Sequence, residues 1–169
     1  MSFEYIWKRA EANFGPPIEG EVEHGSHISI ENIPTYQGRF VALRRPHAIP
    51  GHEIPQKALD AGRPMLYLIH NLPLWGETLP VYVERVVREQ AGVGISHFRI
   101  ADLKMEVYAD TQQWAWTPYT LVELSDLPVP GFHGNEVTEV VTFTRDTVPA
   151  DLGWWEPEEL RQLLDRVER

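Results

Sequence analysis

At 169 residues with 43% apolar side chains, the chain has the size and composition of one folded domain, which excludes disorder over most of its length. Its formal net charge of −10 repels nucleic-acid backbones and anionic membranes, and no basic cluster interleaved with aromatic residues opposes that field. The absence of cysteine rules out a disulfide framework, a thiolate zinc site and a cysteine nucleophile; with no apolar run near the roughly 18 residues that span a bilayer, and no signal-peptide core in "MSFEYIWKRAEANF", a cytoplasmic protein is expected.

In chain order, Phe3, Ile6, Trp7, Ala10 and Phe14 recur at helical spacing, and Gly15-Pro16-Pro17 ends that run. Residues 1–25 are therefore expected to be a helical extension to a domain over 26–169. "HISIENI" (27–33) alternates as a strand does. "RFVALRR" (39–45) pairs with it as a hairpin across "PTYQG". Residues 46–64 hold four prolines and form an irregular insert, with one helical turn expected at "QKALDAG". "MLYLIH" (65–70) is a short apolar run, expected as one buried strand.

"HFRIADLKMEVYA" (97–109) and "WAWTPYTLVEL" (114–124) read as two strands joined by "DTQQ". Phe98, Ile100, Leu103, Met105 and Val107 are core candidates in the first, with a phase change at Ala101-Asp102. "EVTEVVTFT" (136–144) is a further strand. "EPEELRQLLDRV" (156–167) places Leu160, Leu163, Leu164 and Val167 on one helical face, and Pro157 with acidic neighbours suits its first turn.

The segment "NLPLWGETLPVYVERVVREQAGV" (71–93) carries the chemistry. Thr78 suits an N-cap, Pro80 the first turn and Gly92 a left-handed C-cap. Leu79, Val83, Val86 and Val87 line one face, continued by Gln90. Glu84–Arg88 and Arg85–Glu89 are four apart, and such pairs support an exposed helix by about 0.3–0.5 kcal/mol each. On these grounds alone the segment is an amphipathic helix.

The same residues resemble the Nudix signature, G-x5-E-x7-R-E-U-x-E-E-x-G-U, where U is bulky and apolar. With Gly92-Val93 as its final pair, Arg85 falls on the signature arginine, Glu77 on the first glutamate, Val87 on the apolar position and Glu89 on the first of the paired glutamates. Three positions depart from it. Asn71 stands in place of glycine, Val86 in place of the glutamate after the arginine, and Gln90 in place of the second paired glutamate. "GWWEPEELRQLL" (153–164) resembles the family's closing strand-to-helix segment. The resemblance implies an α/β fold, a Nudix-like α/β/α sandwich with a mixed β-sheet. It also implies a site for a diphosphate-containing substrate and a divalent cation.

In the family this resembles, the carboxylates at positions 86, 89 and 90 form the platform that collects Mg²⁺ or Mn²⁺. Here Val86 and Gln90 replace two of them. Hard cations need charged oxygen ligands to offset lost hydration, so Mg²⁺ or Mn²⁺ is expected to bind only weakly, through Glu89, Gln90 and Glu77. Arg85 is the expected orienting partner of Glu77 and Glu89. The chain also resembles nucleotide-sugar hydrolases of the family, the GDP-mannose mannosyl hydrolases, in Glu77, Thr78, Leu79, Glu84, Arg85 and Val86. Their base is a late-loop histidine, which points to His133, although Phe132 stands where they have glutamine.

The catalytic candidates are therefore Glu89, Arg85 and His133. Ligand-binding candidates are Asn71, at the first position of the box, and Trp114 and Trp116, which share a strand face and suit stacking on a base or sugar. His24, His27, His52-Glu53, Glu123, Glu136 and Glu139 have ligand-like chemistry but read as solvated or strand-exposed residues. His70 reads as a strand-end histidine, and Trp154 and Trp155 as packing for the last helix. The expected function is a cleft for a small phosphate-bearing or nucleotide-like ligand without efficient pyrophosphohydrolase activity, or else a divergent hydrolase of nucleotide-sugar type. A homodimer formed through the aromatic surface is the structural alternative.

Overall fold

The computed structural model describes residues 26–46, 54–74, 76–108, 112–131, 135 and 137–168. Among the described residues there are eight strands: β1 (Ser26–Ile28), β2 (Ile30–Tyr36), β3 (Arg39–Arg44), β4 (Leu66–Tyr67), β5 (Ile69–Asn71), β6 (Ile95–Val107), β7 (Trp114–Leu124) and β8 (Glu139–Phe143). They form one mixed sheet in the order β1-β7-β2-β3-β4, with β5 joined to β2, β6 to β7 and β8 to β3. The α-helices among the described residues are α1 (Gln56–Ala61), α2 (Leu79–Ala91) and α3 (Pro157–Val167). Among the described residues, no helix is long and apolar enough to cross a membrane. The expected N-terminal helix lies outside the described residues.

Each sheet face has its own core. On one, α2 buries Tyr82, Val83, Val86 and Val87 against Ile30, Val41, Val122 and Leu124. On the other, α3 buries Leu160, Leu163, Leu164 and Val167 against Ile33, Phe40, Tyr119 and Phe143. The result is the α/β/α sandwich expected from the sequence. Alternation along β2 divides its residues between the two layers, Ile30 under α2 and Ile33 under α3.

Several sequence expectations hold in detail. β2 and β3 are antiparallel, turning at Gln37-Gly38, both at positive φ. α1 occupies the expected turn, β7 the expected eleven residues, and β6 shifts register between Ile100 and Asp102. Pro80 lies in the first turn of α2, and Gly92 caps it at φ 74° with its N–H donating to Arg88 O at 3.0 Å.

Others require correction. "MLYLIH" is two short strands, because Leu66 and Tyr67 pair with β3 whereas Ile69 to Asn71 pair with β2. β2 runs to Tyr36, so the turn is shorter than "PTYQG" suggested. Thr78 holds the N-cap position of α2, but its side chain makes no capping hydrogen bond. Ile100, Leu103, Met105 and Val107 are exposed, not core. Their alternation gave a common face, but α2 does not reach far enough to cover it.

Tyr82 joins the α2 layer to the sheet. It is fully buried, and its hydroxyl lies 2.8 Å from Ile30 O and 2.9 Å from Asn71 O, with one proton to donate between them. The same oxygen accepts from Asn71 N–H at 3.0 Å and from Asn32 Nδ2 at 3.5 Å. Asn32 is itself fully buried, donates to Ile69 O at 2.9 Å and accepts from Thr120 Oγ1 at 2.7 Å. Three strands and one helix thus meet at one polar node. Burial raises the phenol pKa, so the hydroxyl keeps its proton. Removing it in Tyr82→Phe strands buried partners and should cost about 1–3 kcal/mol. Urea unfolding should show a lower midpoint at unchanged slope, and an unshifted midpoint would refute the role assigned to this node.

Candidate functional site

The loop before α2 is organised by Arg85. Its Nε donates to Glu77 Oε1 at 2.6 Å and its Nη2 to Glu77 Oε2 at 2.8 Å, a bidentate pair. Glu77 Oε2 also accepts Leu74 N–H at 2.8 Å, and the Glu77 side chain is only 4% exposed. Arg85 Nη1 reaches Glu89 Oε2 at 3.0 Å. Glu77 first, and then Glu89, hold the Arg85 pKa above its ordinary value. The structure therefore brings Glu77, Arg85 and Glu89 together in one ion-pair cluster.

This cluster does not fit a divalent cation. Both oxygens of Glu77 are taken up by Arg85 and the loop. Val86, at the position where a ligand would stand, is fully buried in the apolar core. Gln90 is turned inward, with Nε2 donating to His70 O at 2.7 Å, and its Oε1 is sealed from solvent without a hydrogen-bond partner. Glu89 alone presents a solvent-facing carboxylate, and Arg85 is on it. One paired carboxylate cannot replace the hydration shell of Mg²⁺ or Mn²⁺. Among the described residues, no group of three or more His, Asp or Glu side chains is placed to hold a metal.

The open cavity lies elsewhere. A cleft of about 570 Å³ opens on the α3 side of the sheet, a size that suits a small organic ligand. His70, Asn71 and Leu72 form one wall. Their backbone is set from behind by α2, through Tyr82 on Asn71, Gln90 on His70 O, and Arg85 Nη2 on Leu72 O at 3.5 Å. Lys104 and Glu106 of β6, 2.8 Å apart, line the opposite side, and Glu159, Gln162 and Arg166 come from α3.

Aromatic rings supply the apolar surface of the cleft. Trp155 packs at 6.0 Å from Tyr119, and Trp154 meets the His70 ring edge-on at 5.8 Å. Trp155 Nε1 donates to Glu31 Oε1 at 3.4 Å. Sequence reasoning assigned both tryptophans to packing and did not single out Glu31 or Tyr119. The signal for Glu31 was available: in "ISIENI" it shares alternation with Ile33, so its carboxyl lies on an inward face.

Of the residues singled out in the sequence, Asn71 lines the cleft; its Oδ1 accepts Leu72 N–H at 2.8 Å. Trp114 and Trp116 share alternation with Val122, which faces α2, so they lie on the side of the sheet away from the cleft. Glu123 closes the β2–β3 turn by accepting from Thr35 Oγ1 at 2.5 Å and Gln37 N–H at 3.1 Å. Glu139 pairs with Arg44 at 2.5 Å. His27 lines the cleft. His133, His24, His52, Glu53 and Glu136 lie outside the described residues.

Glu31 is the one acid of the cleft that is buried. Removal from water pushes its pKa up from 4.5 to about 8, against smaller opposing effects of the Trp155 hydrogen bond and the Arg45 charge. Near neutral pH the carboxyl is protonated and can donate as well as accept. Between pH 4.5 and about 8 the unfolded chain has released this proton while the folded chain retains it. Stability contributed by this group is complete below 4.5, declines through that window and falls no further above about 8. Glu31→Gln should remove the decline, so its stability relative to the parent should rise with pH across the window. Urea unfolding at several pH values measures this, and parallel curves would refute it.

No protein-family model and no curated protein sequence matches the chain. Solved structures do. A MutT Nudix hydrolase from Burkholderia pseudomallei superposes with a TM-score of 0.58 at 16% identity, covering 85% of this chain and 98% of that one. A Nudix hydrolase from Nitrosomonas europaea gives 0.59 at 10% identity, over 85% and 88%. A MutT protein from Methanosarcina mazei gives 0.57 at 17% identity, over 88% and 97%. Helix α2, with the Glu77–Arg85 clamp before it, is the segment whose sequence resembles the Nudix signature, and it packs on one face of a mixed sheet whose other face is covered by α3. The chain has the fold of the Nudix hydrolases.

Proposed function

We propose that this protein binds a small phosphate-bearing, nucleotide-like molecule in the cleft between β6, β5 and α3, without efficient metal-dependent pyrophosphohydrolase activity. The observation that carries this reading is the divergence of two regions. The helix that would gather a cation is closed by Val86, by the inward Gln90 and by the Arg85–Glu89 pair. The cleft beside it stays open and is lined with aromatic and ionic groups.

The cleft chemistry supports the ligand class. Tyr119, Trp154 and Trp155 offer flat apolar surface to a ring. A protonated Glu31 presents a donor and an acceptor to the edge of a heterocycle. Lys104 and Arg166 each have one carboxylate partner, Glu106 and Asp102, and stand at the rim where an anionic group can compete for them. The chemistry left to these residues is binding and orientation.

Titration calorimetry with Mn²⁺ and a panel of nucleotides and nucleotide sugars, read alongside tryptophan fluorescence, tests both halves. Nucleotide binding should saturate without metal and should weaken by about tenfold, a loss of about 1.4 kcal/mol, in Trp155→Leu. Mn²⁺ should bind no tighter than millimolar. Micromolar Mn²⁺ affinity that vanishes in Glu89→Gln, with phosphate released from a nucleotide sugar, would establish the divergent hydrolase instead, acting through Glu89, Gln90 and His133. Failure of every nucleotide to saturate would overturn the ligand assignment.

A further inference from the structure

The sheet carries an apolar face that no described element covers. Met105 pairs with Trp116 and Val107 with Trp114 across β6 and β7, and Ile28 of β1 lies beside Trp116. With Leu103 these six side chains form one patch, each 39–56% exposed. The patch extends, beyond the reach of α2, the same sheet face on which Ile30 and Val122 are buried. Contiguous surface of this kind on a water-soluble fold marks a docking site.

We propose that the chain's own N-terminal segment, residues 3–14, docks on this face beside α2. The chain joins the sheet at the patch itself, because Ser26, the first residue of β1, pairs with Trp114. Twenty-five residues precede it, and they carry Phe3, Ile6, Trp7, Ala10 and Phe14 at helical spacing. A helix over 3–14 would be about 18 Å long. From Leu103 to Val107 the patch runs about 14 Å along the strand, and it spans about 10 Å across three strands. The residues between 14 and 26 reach at most about 40 Å when extended, enough to bring such a helix back over the patch.

Area, charge and edge geometry favour this occupant over a second copy. The patch offers on the order of 600 Å² from side chains of this size, below the ~800 Å² per partner of a stable complex. A tethered segment needs less, because its effective concentration is about millimolar. Two copies that each carry a net charge of −10 repel one another, whereas residues 3–14 balance Glu4 and Glu11 with Lys8 and Arg9. The register shifts between Ile95 and His97 and between Ile100 and Asp102 interrupt the outer edge of β6, which disfavours strand addition by a second copy.

The native chain has no cysteine, so Ala12→Cys accepts a single nitroxide on the face of the segment opposite its apolar stripe. In isotope-labelled, spin-labelled full-length protein, the amide resonances of Met105, Val107 and Trp116 should lose most of their intensity while those of Leu163 and Leu164 keep theirs. Isotope-labelled protein mixed with spin-labelled, isotope-free protein should show no such loss. Adding Trp7→Ser should restore the signals with the rest of the spectrum unchanged. Broadening in the mixed sample would assign the face to a second copy. Unaffected signals in the doubly labelled chain, or broadening that survives Trp7→Ser, would overturn the proposal.

Discussion

The Tyr82 hydroxyl fixes the distance between the α2 layer and the sheet. Its partners come from β2 and β5, and Asn32 extends the contact to β7 through Thr120. A phenol in an otherwise apolar core is tolerated because its one donor and its lone pairs are all used. Gln90 adds a second tie one strand residue away, at His70 O. Together they make α2 a strut for β5. A helix that works as a metal platform must present its oxygens outward, and here two of the three corresponding positions, Val86 and Gln90, point into the protein.

The loop before α2 keeps an ion-paired geometry although the helix buries two of its platform positions. The Glu77–Arg85 pair still pins the turn from Leu74 to Thr78 and still sets the Leu72 carbonyl. What it now positions is the wall of the cleft. The two faces of the sheet have separate tasks: the α3 side gathers Glu31, Tyr119 and Trp155 around a cavity, and the α2 side continues into bare apolar surface at Trp114 and Trp116.

Local rules made much of this legible. The boundaries of β7, the Gly92 cap of α2, the apolar stripe of α3 and the phase change in β6 all follow from periodicity and backbone chemistry within a few residues. The exposure of Leu103, Met105 and Val107 does not, because alternation assigns a common face and says nothing of what lies above it. The division of residues 65–70 into two strands was equally hidden, since it depends on which partner, β3 or β2, lies alongside. At the site, Arg85 and Glu77 could be paired from spacing within one family-like segment. The cleft could not be assembled that way. Glu31, Tyr119 and Trp155 are far apart in sequence and meet only through the parallel pairing of β2 with β7 and the return of α3.

The register shift at Ala101 has a consequence for how such a protein can change. From Phe98 to Ile100, even-numbered β6 residues face the α2 side; beyond Ala101, odd-numbered ones do, which sends Lys104 and Glu106 to the cleft and Leu103, Met105 and Val107 to the opposite side. Ala101 is the extra residue at that shift, so deleting it would leave Ile100 opposite Thr120 and Asp102 opposite Tyr119, with Lys104 and Glu106 still on the cleft and Leu103, Met105 and Val107 still on the other face. The pairing with β7, not the count of residues in β6, therefore fixes which chemistry each face carries, and the strand absorbs a one-residue change here without exchanging its cavity lining for its apolar surface.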